Sequence, residues 1–159
     1  MLGGEWTTDE GKRFTFAEVQ GRPFLITFFF ASCSLKCPIT VDALRQLEAS
    51  VPSKDRSQVT WVLVTMDPSH DDEAVLRSFR KTHKLARPQW VLLRGGQADT
   101  ADLASALSFR FRSNGAGSFA HDSRVTLVGP DGRVAWFGDG LYGGMSSARP
   151  VLARLLQPL

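Results

Sequence analysis

The sequence predicts an α/β domain with a mainly parallel central sheet flanked by helices. Two segments, residues 24–31 and 59–65, are almost wholly apolar or β-branched, which is typical of strands that are covered on both faces. Each is followed by a segment with helical features, and such alternation is typical of parallel strands joined by crossover helices. The chain has 159 residues, so we expect residues 1–159 to form one domain with a substantial core.

An N-terminal β-hairpin is expected to precede the first buried strand. Residues 5–19 contain two short polar strands around a turn at 9–12, which includes Gly11. The first helix is predicted to run from Pro38 to about Ser50, because proline suits the first position of a helix. Its inner face is expected to consist of residues at helical spacing. These are Thr40, Leu44, Leu47 and Val51.

The strand and helix pattern then repeats. A second helix is predicted over residues 71–83, because its acidic start suits the positive end of a helix. A third strand is expected at 89–93. A third helix is expected at 100–107, with Asp99 or Thr100 as its N-cap. These elements extend the alternating pattern and support a layered α/β fold.

The last third of the chain is predicted to end in an antiparallel hairpin and a helix. A loop rich in Gly, Ser and Asn covers 113–118. Strands at 124–128 and 134–137 flank the sequence Gly-Pro-Asp-Gly, a strong hairpin signal. A final helix is expected at 146–156. The complete order of elements fits a thioredoxin-like architecture.

Composition and charge exclude several classes of function. The formal net charge of +3 comes mostly from scattered arginines, and no run of like charges is present, so we expect no nucleic-acid partner. The longest apolar run, residues 24–31, is too short to cross a bilayer. Residues 1–4 lead directly into polar sequence. We therefore expect a cytosolic protein, or one whose targeting segment has been trimmed.

Cys33 and Cys37 are the most informative residues, and they are the only two cysteines. They lie four residues apart, about one helical turn, between a buried strand and the helix predicted to begin at Pro38. With Cys37 near the N-cap, the helix start favours thiolate over thiol, as does the charge of Lys36. Lys36 can equally be a solvated surface residue. The pair can close a disulfide or bind a soft metal ion, or it can consist of two small buried hydrophobes.

Two thiolates form an incomplete metal site, and His121 is the best third ligand. It ends the loop and precedes the strand at 124–128. The sequence does not decide whether it lies at the same edge of the sheet as the cysteines. A Cys₂His set favours copper(I) or copper(II), whereas zinc normally takes a fourth ligand. His70, in a polar turn, and His83, near a helix end, are weaker candidates.

Asp67, Asp71 and Asp72 cluster after the second buried strand. Three carboxylates are compatible with an oxygen site for a hard cation. The same residues also suit a helix cap and first turn. We favour the cap interpretation.

The sequence resembles the SCO/SenC family, which are thioredoxin-fold copper-handling proteins that help to assemble the copper centre of cytochrome oxidase. Three features occur in the family's order: the apolar strand with Cys33, three residues, Cys37 and Pro38; the Asp67-Pro68 turn with acidic residues behind it; and His121 before a strand and the glycine turn at 129–132. The N-terminal hairpin, ending at 19–23, is also similar to the family.

The resemblance implies copper as the ligand, with Cys33, Cys37 and His121 as its protein ligands, and a copper-donating or copper-accepting partner such as a cytochrome oxidase subunit. It also implies an extracytoplasmic protein tethered by an N-terminal membrane anchor absent from this chain. The chain departs from the family at Ser34-Leu35, where Pro-Asp is frequent, and at Asp122, where serine is frequent.

Asp122 can orient the imidazole of the preceding histidine, supply an oxygen ligand, or be an ordinary loop residue. Two classes of function stay open. The first is a copper-binding metallochaperone, and the second is an enzyme, a thiol–disulfide oxidoreductase that uses Cys33 and Cys37 alone. Two intervening residues are usual for thioredoxin-type catalysts and three are present here, which favours the binding protein. A peroxidase of the peroxiredoxin kind is a third and weaker alternative.

Overall fold

The computed structural model describes residues 2–33, 36–115, 118–141 and 143–157. Nine strands and four α-helices lie in these ranges. The strands are β1 (Trp6–Thr8), β2 (Arg13–Phe14), β3 (Phe24–Phe29), β4 (Thr60–Thr65), β5 (Trp90–Gly95), β6 (Phe111–Ser113), β7 (Phe119–His121), β8 (Arg124–Val128) and β9 (Val134–Asp139). The helices are α1 (Lys36–Ser50), α2 (Glu73–His83), α3 (Gln97–Ala106) and α4 (Ala148–Leu155).

Seven strands form the main sheet, in the order β2-β1-β5-β4-β3-β8-β9. The three central strands, β3, β4 and β5, are parallel, and the outer strands are antiparallel to their neighbours. This arrangement confirms the predicted α/β fold with a central sheet and helices, and the predicted N-terminal hairpin is β1 and β2. The sheet is mixed and not mainly parallel, because only the pairs β3–β4 and β4–β5 are parallel. Because β8 is antiparallel to β3, its first residue lies at the edge of the sheet where β3 and β4 end.

The parallel pair β3 and β4 forms the centre of the core. All six residues of each strand are buried, as expected for strands covered on both faces. The pairing runs in register from Phe24 opposite Thr60 to Phe29 opposite Thr65. The loops that follow the two strands therefore start side by side.

Helix α1 begins two residues earlier than the sequence predicts. It starts at Lys36, so Pro38 is its third residue and Cys37 its second. Proline is tolerated there because the amides of the first turn have no intrahelical acceptor. The predicted inner face is confirmed, since all four of its side chains are buried: Thr40, Leu44, Leu47 and Val51.

The starts of α2 and α3 show which polar residues act as caps. Asp72 caps α2, because its side chain accepts the Val75 N–H at 3.0 Å. The predicted cap of α3, Asp99 or Thr100, is wrong, since Gly96 is the N-cap. The carboxylate of Asp99 accepts the Glu5 N–H at 3.0 Å instead. Asp99 therefore does not cap α3, because its carboxylate is bonded to a residue that is distant in sequence.

Four short elements were not predicted from the sequence. Strands β6 and β7 form a separate two-stranded sheet around the loop expected at 113–118, of which residues 116 and 117 lie outside the described residues. Two 3-10 helices, Phe16–Val19 and Ser53–Gln58, precede β3 and β4. None of the helices in the described ranges is long and apolar enough to span a membrane.

An ion cluster of the buried Asp9 and Arg80 with the exposed Arg87 attaches the N-terminal hairpin to α2. Asp9 lies in the β1–β2 turn and is 1% exposed. Arg80 donates to both of its carboxylate oxygens, at 2.7 and 2.9 Å, and Arg87 donates at 2.6 Å. Burial acts to raise the pKa of Asp9, but the two arginines outweigh it and hold that pKa below its usual value.

Candidate metal centre

The three residues that the sequence selected as ligands meet at one point. One donor atom each from Cys33, Cys37 and His121 lies within 4.8 Å of the other two. We call these residues the metal triad. Within the described ranges, no other group of three or more His, Cys, Asp or Glu side chains has this geometry. The position is the edge of the sheet where β3 ends and β8 begins.

The cysteines are held by the turn after β3 and by the first turn of α1. The N–H of Cys33 donates to the Phe30 carbonyl at 3.0 Å. The N–H of Cys37 donates to the sulfur of Cys33 at 3.4 Å. An amide in the first turn of α1 therefore points at the sulfur of Cys33. The sequence instead predicts that Cys37 lies at the N-cap. Cys33 is partly exposed and Cys37 is 3% exposed, so a bound ion would be approached from the side of Cys33.

Burial dominates the chemistry of Cys37. It raises the pKa of the Cys37 thiol well above the usual value, and the neighbouring Cys33 and the charge of Asp71 act in the same direction. The expectation that the helix start favours thiolate is therefore wrong for Cys37. A metal ion that binds this sulfur must displace its proton. The side chain of Lys36 and residues 34 and 35 lie outside the described residues.

Sheet topology places His121 beside the cysteines. His121 is the last residue of β7, and β8 begins three residues later and pairs antiparallel with β3. The Thr27 hydroxyl donates to the carbonyl of Arg124 at 2.8 Å and ties the two strands together near this edge. The question that the sequence left open is thus resolved, because the histidine and the cysteines share one edge.

The imidazole of His121 is oriented by its neighbours. Its Nδ1 lies 2.5 Å from the carbonyl oxygen of Asp122. A carbonyl can only accept, so Nδ1 carries the hydrogen, and Nε2 is the nitrogen that would bind a metal. The imidazole also meets the ring of Phe30 edge-on, with 5.8 Å between the ring centroids, and stacks on the ring of Phe109, with 6.3 Å between the centroids.

Asp122 anchors the β6–β7 hairpin that carries the histidine. Its N–H donates to the carbonyl of Arg110, and its carboxylate accepts the N–H of Arg110, both at 2.8 Å. Of the roles that the sequence left open for Asp122, the structure supports orientation, through its main-chain carbonyl. The aromatic wall around the imidazole was not predicted from the sequence, although the alternation of Phe109 and Phe111 was an available signal.

The remaining histidines lie apart from the triad. The Nδ1 of His70 lies 3.0 Å from the carboxylate of Asp67, which raises the pKa of His70. His83 packs on Phe79 with 4.3 Å between the ring centroids, and burial lowers its pKa. Neither belongs to the described metal-binding geometry.

The acidic residues after β4 serve three separate purposes. Asp72 is the cap of α2, as the favoured interpretation predicts. Asp71 is not a cap, because its Oδ2 accepts the Ala31 N–H at 2.9 Å and the Thr65 hydroxyl at 2.7 Å. Asp67 pairs with His70. No oxygen site for a hard cation forms from this trio in the described residues.

The donor set determines which ions fit the metal triad. Two sulfurs and one imidazole suit copper, since thiolates select copper(I) and imidazole accepts either valence. A structural zinc site would take a fourth ligand, and no described carboxylate or histidine joins the three donors. The geometry therefore fits a soft ion of low coordination number.

Comparison with known proteins gives concordant results for sequence and fold. The family model described as SCO1/SenC matches residues 3–155. A Stutzerimonas stutzeri protein whose name describes it as copper-binding is 30% identical over 125 residues, which are 76% of this chain and 60% of that protein. This chain thus spans about three fifths of the length of that relative.

Two solved structures have the same fold. A SCO1/SenC family lipoprotein from Bacillus anthracis matches with a TM-score of 0.87 and 20% identity, over 96% of this chain and 92% of that chain. Bradyrhizobium japonicum ScoI, solved with copper bound, matches with a TM-score of 0.75 and 21% identity, over 98% of each chain. With the family model matched along almost the whole sequence and this fold, the chain belongs to the SCO1/SenC family.

Proposed function

We propose that this protein is a copper-binding metallochaperone that holds copper through Cys33, Cys37 and His121 and exchanges it with a partner protein. The observation that carries the proposal is the convergence of two sulfurs and one imidazole nitrogen within 4.8 Å. These donors come from three elements, and the partly exposed Cys33 gives a partner access to the ion. Transfer needs such access because a ligand of the acceptor must reach the metal.

The relatives support copper as the cargo. The Stutzerimonas stutzeri relative is named for copper binding, and ScoI was solved with copper bound. Two thiolates hold copper(I), and the imidazole adds a ligand that copper(II) also accepts. We infer that the protein binds both valences, with His121 contributing most to copper(II).

Membership of the family supports two further proposals, on the partner and on the location. We infer that the partner donates or accepts copper and that a cytochrome c oxidase subunit is one such acceptor. We also infer an extracytoplasmic location with an N-terminal anchor, which is supported by the lipoprotein from Bacillus anthracis. The partner and the anchor are proposals, because this chain spans about three fifths of the length of its Stutzerimonas stutzeri relative.

Copper titration of the reduced protein tests the proposal. We expect one copper ion per chain. His121→Ala should weaken copper(II) binding by more than the ten- to hundredfold typical of an outer-shell substitution, while copper(I) remains on the two thiols. His83→Ala is the matched control, because His83 packs on Phe79 away from the triad. Wild-type spectra and affinity for both valences in His121→Ala would show that His121 is not a ligand.

A thiol–disulfide oxidoreductase is the second candidate. It is supported by the proximity of the two sulfurs, which lie within 4.8 Å of each other and can form a disulfide after local adjustment. The buried, protonated Cys37 opposes rapid exchange. We expect slow reduction of insulin disulfides. Efficient reduction that persists in His121→Ala would favour the oxidoreductase.

A further inference from the structure

A pocket of about 560 Å³ lies next to the metal triad and takes no part in it. Its walls are the turn after β3, the loop between β4 and α2, and one face of α2. The apolar side chains of Ala31, Val75 and Phe79 line much of it. The volume falls within the range of ligand-binding sites, so the pocket can hold a side chain and part of the segment that carries it.

Asp71 gives this pocket a specific polar group. It lines the pocket and is 4% exposed. Its Oδ2 accepts hydrogen bonds from Ala31 and Thr65, and none of the hydrogen bonds among the described residues involves its Oδ1. No fully buried side-chain oxygen of the described residues lacks a partner, so Oδ1 is open to the pocket. Water or a donor group of a ligand can therefore hydrogen-bond to it there.

The charge of the lining selects a cation. Two carboxylates, Asp67 and Asp71, line the pocket, and no lysine or arginine does so among the described residues. His70 offsets the charge of Asp67, to which it is bonded. His83 is partly buried on Phe79 and favours its neutral form. His70 is also the cationic group that acts on Asp71, whose pKa burial raises, so a cation bound beside Asp71 would favour its ionised form.

The apolar walls favour a guanidinium over an ammonium. The rings of Phe79 and His83 lie 4.3 Å apart with 37° between their planes and form one aromatic surface. A planar guanidinium stacks on such a surface and donates to a carboxylate at the same time. The aliphatic stem of an arginine would cover Val75.

The position of the pocket identifies the source of the arginine. Ala31 and Ser32 line it and directly precede Cys33, the more exposed sulfur of the triad. A protein segment that occupies the pocket therefore passes beside the sulfur that a copper acceptor must approach. We propose that this pocket binds an arginine side chain of the copper-exchange partner and so aligns the partner's ligands with Cys33. This inference rests on the proposed function.

Binding of a small arginine probe tests the pocket without copper. N-acetyl-L-arginine methylamide is titrated into the reduced, metal-free, ¹⁵N-labelled protein. We expect saturable shifts at the amides of Ala31, Ser32, Ser78 and Thr82. The lysine analogue should bind more weakly, and the neutral citrulline analogue at least tenfold more weakly, because it lacks the charge. Equal binding of the arginine and citrulline probes, or no binding, would overturn the proposal.

Two variants and a control locate the probe. In Asp71→Asn the amide oxygen can keep the bonds from Ala31 and Thr65, so the NH₂ group replaces Oδ1, and we expect at least a tenfold loss. Ser78→Phe narrows the pocket at an exposed position of α2 and should give a similar loss. Asp102→Asn removes the same charge from the exposed face of α3 and should have no effect. Unchanged binding in both pocket variants would contradict the assignment.

Copper transfer then tests the identity of the occupant. The acceptor is the soluble copper-binding domain of a cytochrome oxidase subunit, and the copper affinity of each variant is measured separately. Ser78→Phe should slow transfer at equal copper load, whereas Asp102→Asn should match wild type. Probe binding with unaltered transfer in Ser78→Phe would overturn the partner assignment. If the wild-type protein binds the arginine probe but binds no copper, only the proposed function would be overturned.

Discussion

The ion cluster and the metal triad both bring distant polar side chains together, but they differ in how those groups are satisfied. In the ion cluster, the Asp9 carboxylate receives donors from Arg80 and Arg87, and the third donor nitrogen of Arg80 reaches the Leu85 carbonyl at 3.0 Å. Donors and acceptors match within the protein. These hydrogen bonds fix the N-terminal hairpin to α2.

The metal triad brings together groups of one kind. Two sulfurs and an imidazole nitrogen all offer electron pairs once protons are removed. In that deprotonated form they have no donor for one another, so a cation is the partner that satisfies all three. Complementary partners therefore stabilise a fold, whereas converging donors of one kind indicate a ligand.

The largest expected effect is on stability, at the ion cluster. Asp9→Ala leaves the buried Arg80 without a counterion, which should lower the free energy of unfolding by about 3–5 kcal/mol. Copper affinity of the folded fraction should stay at the wild-type value, because the triad lies at another edge. Urea denaturation and copper titration measure the two quantities.

Glu10→Gln is the control for this prediction. Glu10 pairs with Arg87 at 3.1 Å and with Lys12 at 3.9 Å on the surface. Its loss should cost less than about 1 kcal/mol. If Asp9→Ala were as mild as Glu10→Gln, or if it also abolished copper binding, the separation of the two regions would be wrong.

An intermediate effect is expected at Asp122, because this residue both anchors the β6–β7 hairpin and contacts the imidazole of His121. Asp122→Ala removes the acceptor of the Arg110 N–H, which should cost about 0.5–1.5 kcal/mol. The looser hairpin should weaken copper(II) binding about tenfold, as outer-shell changes do.

Asp122→Asn keeps an acceptor for Arg110 and serves as the control, with affinity near wild type. Hydrogen exchange of the β6–β7 amides measures the loosening. Unchanged exchange and affinity in the alanine variant would show that the carboxylate does not anchor the hairpin.

The smallest expected effect is a pH dependence from Asp9. Its pKa in the folded protein is lowered from the reference value of 3.8. Its contribution to stability is therefore complete above that value and is lost as the pH falls through the folded pKa. The free energy of unfolding of wild type should fall more steeply than that of Asp9→Asn as the pH is lowered into this range. Parallel curves for the two proteins would remove Asp9 as the cause.

Local signals predicted much of the fold. The apolar runs that became β3 and β4 were recognisable because strands covered on both faces tolerate no polar alternation. Asp72 was recognisable as part of a cap because its side chain bonds within one turn. The N-cap of α3 was not recognisable, because the carboxylate of Asp99 accepts the N–H of Glu5, which is distant in sequence.

The candidate site was predictable in its residues but not in its geometry. Cys33 and Cys37 are close in sequence, so one turn suffices to bring them together. The position of His121 depends on the pairing of β8 with β3, which is a property of the whole sheet. The polarity of Asp71 was visible in the sequence, but its bonds to Ala31 and Thr65 depend on two loops that start side by side.

The small β6–β7 sheet has a consequence for how such a protein can evolve. It is separate from the main sheet, yet it carries His121. Insertions or substitutions in this two-stranded sheet can move, replace or delete the imidazole while the two cysteines and the core stay unchanged. Selection can therefore tune metal preference in one module and preserve the foldable scaffold in another.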